Sequence, residues 1–298
     1  MSNNSVLTLS NEFACVKVAP ELGGAILSYE AKVEGQLYAI FKPSEAANTV
    51  HETSCFPLVP FSNRVRNGQF KWQEQNICLK LNHLPEKHAI HGHGWQNIWQ
   101  VINKSSNSVE LQFHYLPDDW PFEYLATQKI MLDGNKLTVS LEVTNLSTQV
   151  MPIGLGLHPY FNRTDECFLQ ANVNKMWATD DEVMPTRLVD APEGISTAQG
   201  MKISENALDN AFTDFDHTAN IFWPEWQIQA ALNVSNNCDF LVVYSPKDES
   251  YFCVEPVTHC TDALNLHQQS QEYTGQQQLL PNTTSRVEMS ITPQTLNS

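Results

Sequence analysis

Apolar residues along this chain come in short runs separated by turn residues, and in the longest run they alternate with polar ones. From Lys136 to Val143 (KLTVSLEV) the odd positions are apolar and the even ones polar or charged, the pattern of a strand with one buried face. Residues 13–19 (FACVKVA), 24–31 (GAILSYEA), 69–73, 76–81, 109–116, 127–133, 239–245 and 251–256 are further strand candidates, rich in β-branched and aromatic side chains. Asp133-Gly134-Asn135, between residues 127–133 and 136–145, predicts a tight hairpin. No segment sustains an apolar period of 3.6 over several turns, so helices should be few and short. The expected fold class is all-β, a large antiparallel β-sandwich. Residues 177–226, broken by Pro185, Pro192, Gly194, Gly200 and Pro224, read as long loops over one sheet. The tail from Gln268 is rich in Gln, Asn, Ser and Thr, with one strand-like run, SRVEMSI. No repeat or low-complexity linker divides the chain, and one domain over residues 1–298 is the simplest reading.

Charge narrows the partners. Lys and Arg number 17 against 33 Asp and Glu, a formal net charge of -16, so nucleic acid and anionic membranes are repelled on average. The opening residues lack the basic and apolar regions of a signal peptide, and no stretch stays apolar long enough to span a bilayer. A soluble, cytoplasmic protein is expected. Seven cysteines without a C-x-x-C pair fit buried reduced thiols better than disulfides or a zinc site.

Four clusters gather ionisable groups beside aromatics and turn residues. In CFPLVPFSNRVRNGQF (55–70), Asn63 and Arg64 precede a Gly-marked turn. Arg64 has the donors to bind several hydroxyls, or equally to satisfy loop carbonyls. In HAIHGHGW (88–95), a metal would need further ligands, yet the next acidic residue after His93 is Glu110 and no second histidine cluster follows; no metal is expected. Glycines beside His91 let the backbone and imidazole approach a ligand closely, although a turn histidine without a role fits as well. In MPIGLGLHPYFN (151–162), His158 ends an apolar run before Pro159 and should stand at a strand end, as a catalytic group or as a hydrogen-bonded structural one. In YFCVEPVTHCTDALN (251–265), Glu255 ends an apolar strand. Partial desolvation there raises a carboxyl toward the range of a general base; a surface glutamate is the bland alternative. A weaker feature, LDNAFTDF, puts Asp209 near two phenylalanines.

Taken in order, these segments resemble the aldose 1-epimerase (galactose mutarotase-like) family: NRVRNGQF, then His91-Gly92, then His158-Pro159-Tyr160-Phe161-Asn162, DDEVMPT, Asp209 to Phe212, Glu255-Pro256, and Asp262 to Asn265. The resemblance implies the family's very large antiparallel sandwich and its chemistry, interconversion of the anomers of an aldose. It assigns Glu255 as the general base, His158 as the general acid, and Arg64, His91 and Asp209 as sugar-holding residues helped by Asn63 and Tyr160. Acid–base chemistry on a hemiacetal needs no cofactor, and reversibility favours two groups with pKa values not far from neutrality. The expected partner is a small aldose, bound by a monomer or homodimer. Three departures, His93 after Gly92, Pro159 and Arg187, are expected near the sugar and point to a branch with altered preference. The alternatives are a non-catalytic carbohydrate-binding protein on the same fold and a hexose-6-phosphate mutarotase, the latter disfavoured by the acidic balance and scarce Arg.

Overall fold

The structure is a computed structural model that describes residues 6–44, 46–270 and 272–296. It is built almost wholly from antiparallel strands. A nine-stranded sheet runs in spatial order Gln100–Lys104, Ser108–Tyr115, Tyr124–Asp133, Lys136–Asn145, Thr284–Thr295, Ile228–Val234, Thr218–Trp223, Phe168–Ala171, Met201–Lys202. An eight-stranded sheet holds Pro185–Asp190, Lys175–Thr179, Asp209–Phe212, Phe240–Tyr244, Tyr251–Val257, Gly156–Leu157 and Pro57–Leu58, with Tyr160–Asn162 also paired to Tyr251–Val257. A four-stranded sheet is formed by Leu7–Ser10, Ala14–Ala19, Ala25–Val33 and Gln36–Ala39.

The alternation read in residues 136–143 places Leu137, Val139, Leu141 and Val143 in the main core, each essentially inaccessible to water. The hairpin at Gly134 joins Tyr124–Asp133 to Lys136–Asn145, and Asp133 faces Lys136 across it. The central strands of the eight-stranded sheet, Phe240–Tyr244 and Tyr251–Val257, are covered on both faces and read as nearly continuous apolar runs. Leu241, Val243, Phe252, Val254, Phe161 and Phe212 point into the core shared with the nine-stranded sheet. The opposite parity (Phe240, Val242, Cys253, Val257, Tyr160, Ala211) forms a second cluster under the loops that carry Val50, Ile90 and Trp95. That second face supports the candidate site.

One expectation needs correction. Residues 177–226 are not long loops over a sheet: Pro185–Asp190, Asp209–Phe212 and Thr218–Trp223 lie there as strands of both large sheets. The breakers fall at strand ends. Pro185 opens its strand and Pro224 follows Trp223, positions where a missing N–H costs no ladder bond. The strand-like run SRVEMSI of the polar tail is borne out and extended, since Thr284–Thr295 lies between Lys136–Asn145 and Ile228–Val234 inside the nine-stranded sheet. Helix is scarce among the described residues: one short α-helix, Ala263–Gln269, and single 3-10 turns. None of it is long and apolar enough to cross a membrane. Cys55, Cys167, Cys238, Cys253 and Cys260 are buried free thiols, Cys15 is half-buried and Cys78 exposed.

Candidate active site

The site starts from an interruption in a strand. Gly156 pairs with Val257 and Tyr160 with Cys253, so His158 falls opposite Glu255 in the gap between. Pro159 has no N–H to give a ladder and splits this edge into two short pieces at that point. His158 is still anchored through its own backbone N–H, which donates to the Phe56 carbonyl at 3.0 Å. Its ring is held between Phe56 and Tyr160, with centroids at 4.6 and 4.7 Å, and cannot turn freely. Across the gap His158 Nε2 lies 3.2 Å from Glu255 Oε1, both side chains buried.

A cavity of about 200 Å3 opens over this pair. Asn63, Arg64, His91, Tyr160 and Asp209 line it together with His158 and Glu255, so all seven residues singled out in the sequence converge on one space. Two short segments build the wall. Arg64 pairs with Ile90 in a small ladder, and the residues beside it, Asn63 and His91, both take left-handed backbone conformations. The His91 N–H donates to the Asn63 carbonyl at 3.0 Å, and the Asn63 N–H donates to His91 Nδ1 at 3.1 Å. Because Nδ1 accepts, a neutral His91 carries its proton on Nε2. Burial holds its pKa well below 6.5, helped by His158 and Arg64, so His91 is a neutral donor with a fixed tautomer.

Arg64 is framed by acids. Its Nε lies 3.3 Å from Glu86 Oε2 and one terminal nitrogen lies 3.7 Å from Asp209 Oδ2. Asp262 and Asn265 hold the backbone beneath it. The Asp262 N–H donates to the Arg64 carbonyl at 2.9 Å, and Asp262 Oδ1 accepts from the Arg66 N–H at 3.0 Å and from Asn265 Nδ2 at 2.8 Å. These two motif residues position the loop and do not line the cavity.

Burial dominates the proton affinities. The Glu255 carboxyl is raised well above its usual range, first by desolvation and then by Asp209, against the pull of Arg64. Desolvation, with His51 next, lowers His158 to about 3, further from neutrality than the sequence reading expected. Both shifts disfavour charge, so the two groups at 3.2 Å behave as one unit sharing a proton. Asp209 is also raised by burial, with Arg64 opposing.

Besides the apolar Ile90, four lining residues were not read from the sequence: His51, His83, Glu86 and Tyr244. His51 Nε2 lies 3.1 Å from His83 Nδ1, and burial lowers His51 to about 4. The signal for His83 and Glu86 was the dense run NHLPEKHAIHGHGW, of which only the second half was used; His51 and Tyr244 carry no local signal. None of the three departures lines the cavity, although Pro159 stands between two residues that do, His158 and Tyr160. His93 turns away to Asp119 at 3.0 Å and packs on Tyr115, while Arg187 is exposed on the outer strand of the sheet. His88 also serves the scaffold, its Nδ1 accepting from the Asn67 N–H at 3.0 Å.

Fold and cavity together define a class, antiparallel β-sandwiches with a paired acid and base where one strand is split. The chain belongs to the aldose 1-epimerase family, whose model matches residues 5–292. It is 29% identical to YphB of Escherichia coli (strain K12) over 231 residues, covering 75% of this chain and 79% of YphB. It is 31% identical to YihR of the same strain over 224 residues, 70% of each chain. Both relatives are uncharacterized proteins by name. A crystal structure of an Escherichia coli K12 protein proposed to be an aldose 1-epimerase superposes with a TM-score of 0.88 at 25% identity, covering 98% of this chain and 99% of the other.

Proposed function

We propose that this chain is a mutarotase that interconverts the α and β anomers of a free, uncharged aldose. The observation that carries the reading is the His158–Glu255 pair, 3.2 Å apart on the floor of a cavity lined by hydrogen-bonding groups. Glu255 takes the proton of the anomeric hydroxyl while His158 delivers one to the ring oxygen. The ring opens, the bond beside the anomeric carbon rotates, and closure on the other carbonyl face returns both protons. The opposed shifts rest the pair's one proton on Glu255, and its passage across the 3.2 Å gap to His158 frees the carboxylate to act as base and makes the imidazole the acid. Two proton transfers complete the reaction, and no cofactor is called for.

Arg64, Asp209 and the Nε2 proton of His91 are the groups we assign to the sugar hydroxyls, with Asn63 beside them and the Tyr160 ring available to the apolar face of a pyranose. The lining also favours an uncharged substrate. Its one guanidinium, Arg64, is already shared by Glu86 and Asp209, leaving little net attraction for a phosphate. The buried free thiols support a cytoplasmic setting.

Polarimetry or NMR of freshly dissolved α-anomers across a panel of aldoses tests the proposal. Acceleration over buffer, lost in Glu255→Gln and His158→Ala, is the expected result. A panel in which no sugar equilibrates faster than buffer refutes it.

A further inference from the structure

Cys253 lies beneath the acid–base pair and plays no part in the proton transfers. It sits two residues before Glu255 on the same face of Tyr251–Val257, and Tyr160 is its cross-strand neighbour. The ligand atoms of His158, Cys253 and Glu255 all lie within 4.8 Å of one another, and all three residues are buried. Glu255 Oε2 is buried without a hydrogen-bond partner among the described residues. The set therefore combines an imidazole, a thiol and a carboxylate with an unused buried oxygen, and two of its members, His158 and Glu255, line the cavity.

We propose that His158, Cys253 and Glu255 form an inhibitory binding site for a thiophilic divalent ion of the zinc class. The inhibitory part rests on the mutarotase reading; the binding part does not. Zinc bonds are about 2.0–2.3 Å long, so three donors within 4.8 Å need to close by only about an ångström to share one ion. Charge decides the class of ion. On binding, the Cys253 thiol proton and the proton shared by His158 and Glu255 leave to solvent. A thiolate, a carboxylate and a neutral imidazole are left, and their two negative charges cancel a dication in a site where uncompensated charge is costly. Magnesium and calcium, which seek several oxygen ligands, are poorly served by this set. The fourth position faces the cavity and takes water. An ion held there occupies the carboxylate and the imidazole lone pair that the reaction uses, so metal and proton transfer exclude each other.

Cobalt(II) is the probe for binding, because a cobalt–thiolate bond absorbs in the near ultraviolet. The titration uses the full chain in a Cys78→Ser background, so that the exposed Cys78 thiol contributes no band of its own. The expected result is a thiolate band that saturates at one cobalt per chain, is displaced by zinc, and is absent from Cys253→Ser. In activity assays zinc should abolish mutarotation of the Cys78→Ser protein and a chelator should restore it. Cys253→Ser should keep its mutarotation and need at least ~10-fold more zinc for inhibition. Circular dichroism checks the fold of that variant, and His158→Ala serves as a second ligand deletion that should weaken cobalt binding. A Cys78→Ser protein without a saturable thiolate band overturns the site, as does a Cys253→Ser variant with undiminished zinc sensitivity. If no aldose is turned over, the functional proposal falls while the cobalt spectrum still decides the metal site.

Discussion

His259 offers a sharp test of how the loop that carries Asn63 and Arg64 is supported. Its ring is buried and neutral, lowered by desolvation to about 4. Nε2 accepts from the Ser62 N–H at 3.1 Å and Nδ1–H donates to the Cys260 carbonyl at 2.7 Å. The ring thus ties the residue just before Asn63 and Arg64 to the segment after Glu255. The Cδ2–Nε2 edge of the ring abuts Gly154, where an added Cβ would fall 1.9 Å from those two atoms. Gly154 is outside the left-handed region, so only the imidazole forbids a side chain there. The ring cannot swing away without leaving a buried backbone group unpaired, at about 1–3 kcal/mol each, and crowding alone costs about 1–3 kcal/mol. Gly154→Ala should therefore destabilise by about 3 kcal/mol in the wild type. In a His259→Ala background the clash is gone, and the same change should stabilise by up to about 1 kcal/mol through the stiffer backbone and the partly filled space. Urea unfolding of the four proteins measures the cycle, with an expected coupling of about 3–4 kcal/mol. Mutarotation of Gly154→Ala should show a raised KM with kcat less affected, because Asn63 and Arg64 shift while His158 and Glu255 stay. Additivity within about 0.5 kcal/mol would refute this account of the ring.

Glu255→Gln should lower kcat by about 10²–10⁴ while leaving the chain at least as stable. A carboxyl whose folded pKa is raised loses stability as pH climbs above its unfolded value, so the variant's advantage in urea unfolding should grow from pH 4 toward pH 8; a constant difference contradicts a buried carboxyl. Since burial holds His158 near 3, a second proton enters the pair only at low pH, and kcat/KM should stay flat as pH falls through 6.5. An acid limb at 6.5, as for an exposed imidazole, would contradict the shared-proton description. Arg64→Lys keeps the charge but not the fork that meets Glu86 and Asp209; KM should rise about tenfold with kcat nearly unchanged, and a pure kcat effect would move Arg64 from sugar holding into the chemistry.

Much of this site could be seen in the one-dimensional pattern because its chemistry sits at strand ends. His158 precedes a proline and Glu255 closes an apolar run, and such boundaries are written locally. The contrasting histidines in HAIHGHGW were harder. His88, His91 and His93 look alike in the sequence, yet His91 enters the cavity while His88 and His93 bond to Asn67 and Asp119. What separates them is the left-handed turn at His91 and Gly92, which redirects the chain for two residues.

Strand alternation, the hairpin at Gly134, the scarcity of helix and the residue types needed for acid–base work are properties of neighbouring residues, and the chain declares them without its fold. The pairing of His158 with Glu255 is of another kind. It depends on the register that sets Gly156 against Val257 and Tyr160 against Cys253, and no local pattern encodes which distant strands meet. The same holds for the strands concealed among the prolines of residues 177–226, where pairing in the sheet overrides weak local preference. Folding also sets the proton affinities of the pair, because burial is a sum over everything packed around a side chain. Residue identity supplied an acid and a base; their separation of 3.2 Å and their shared proton are consequences of packing.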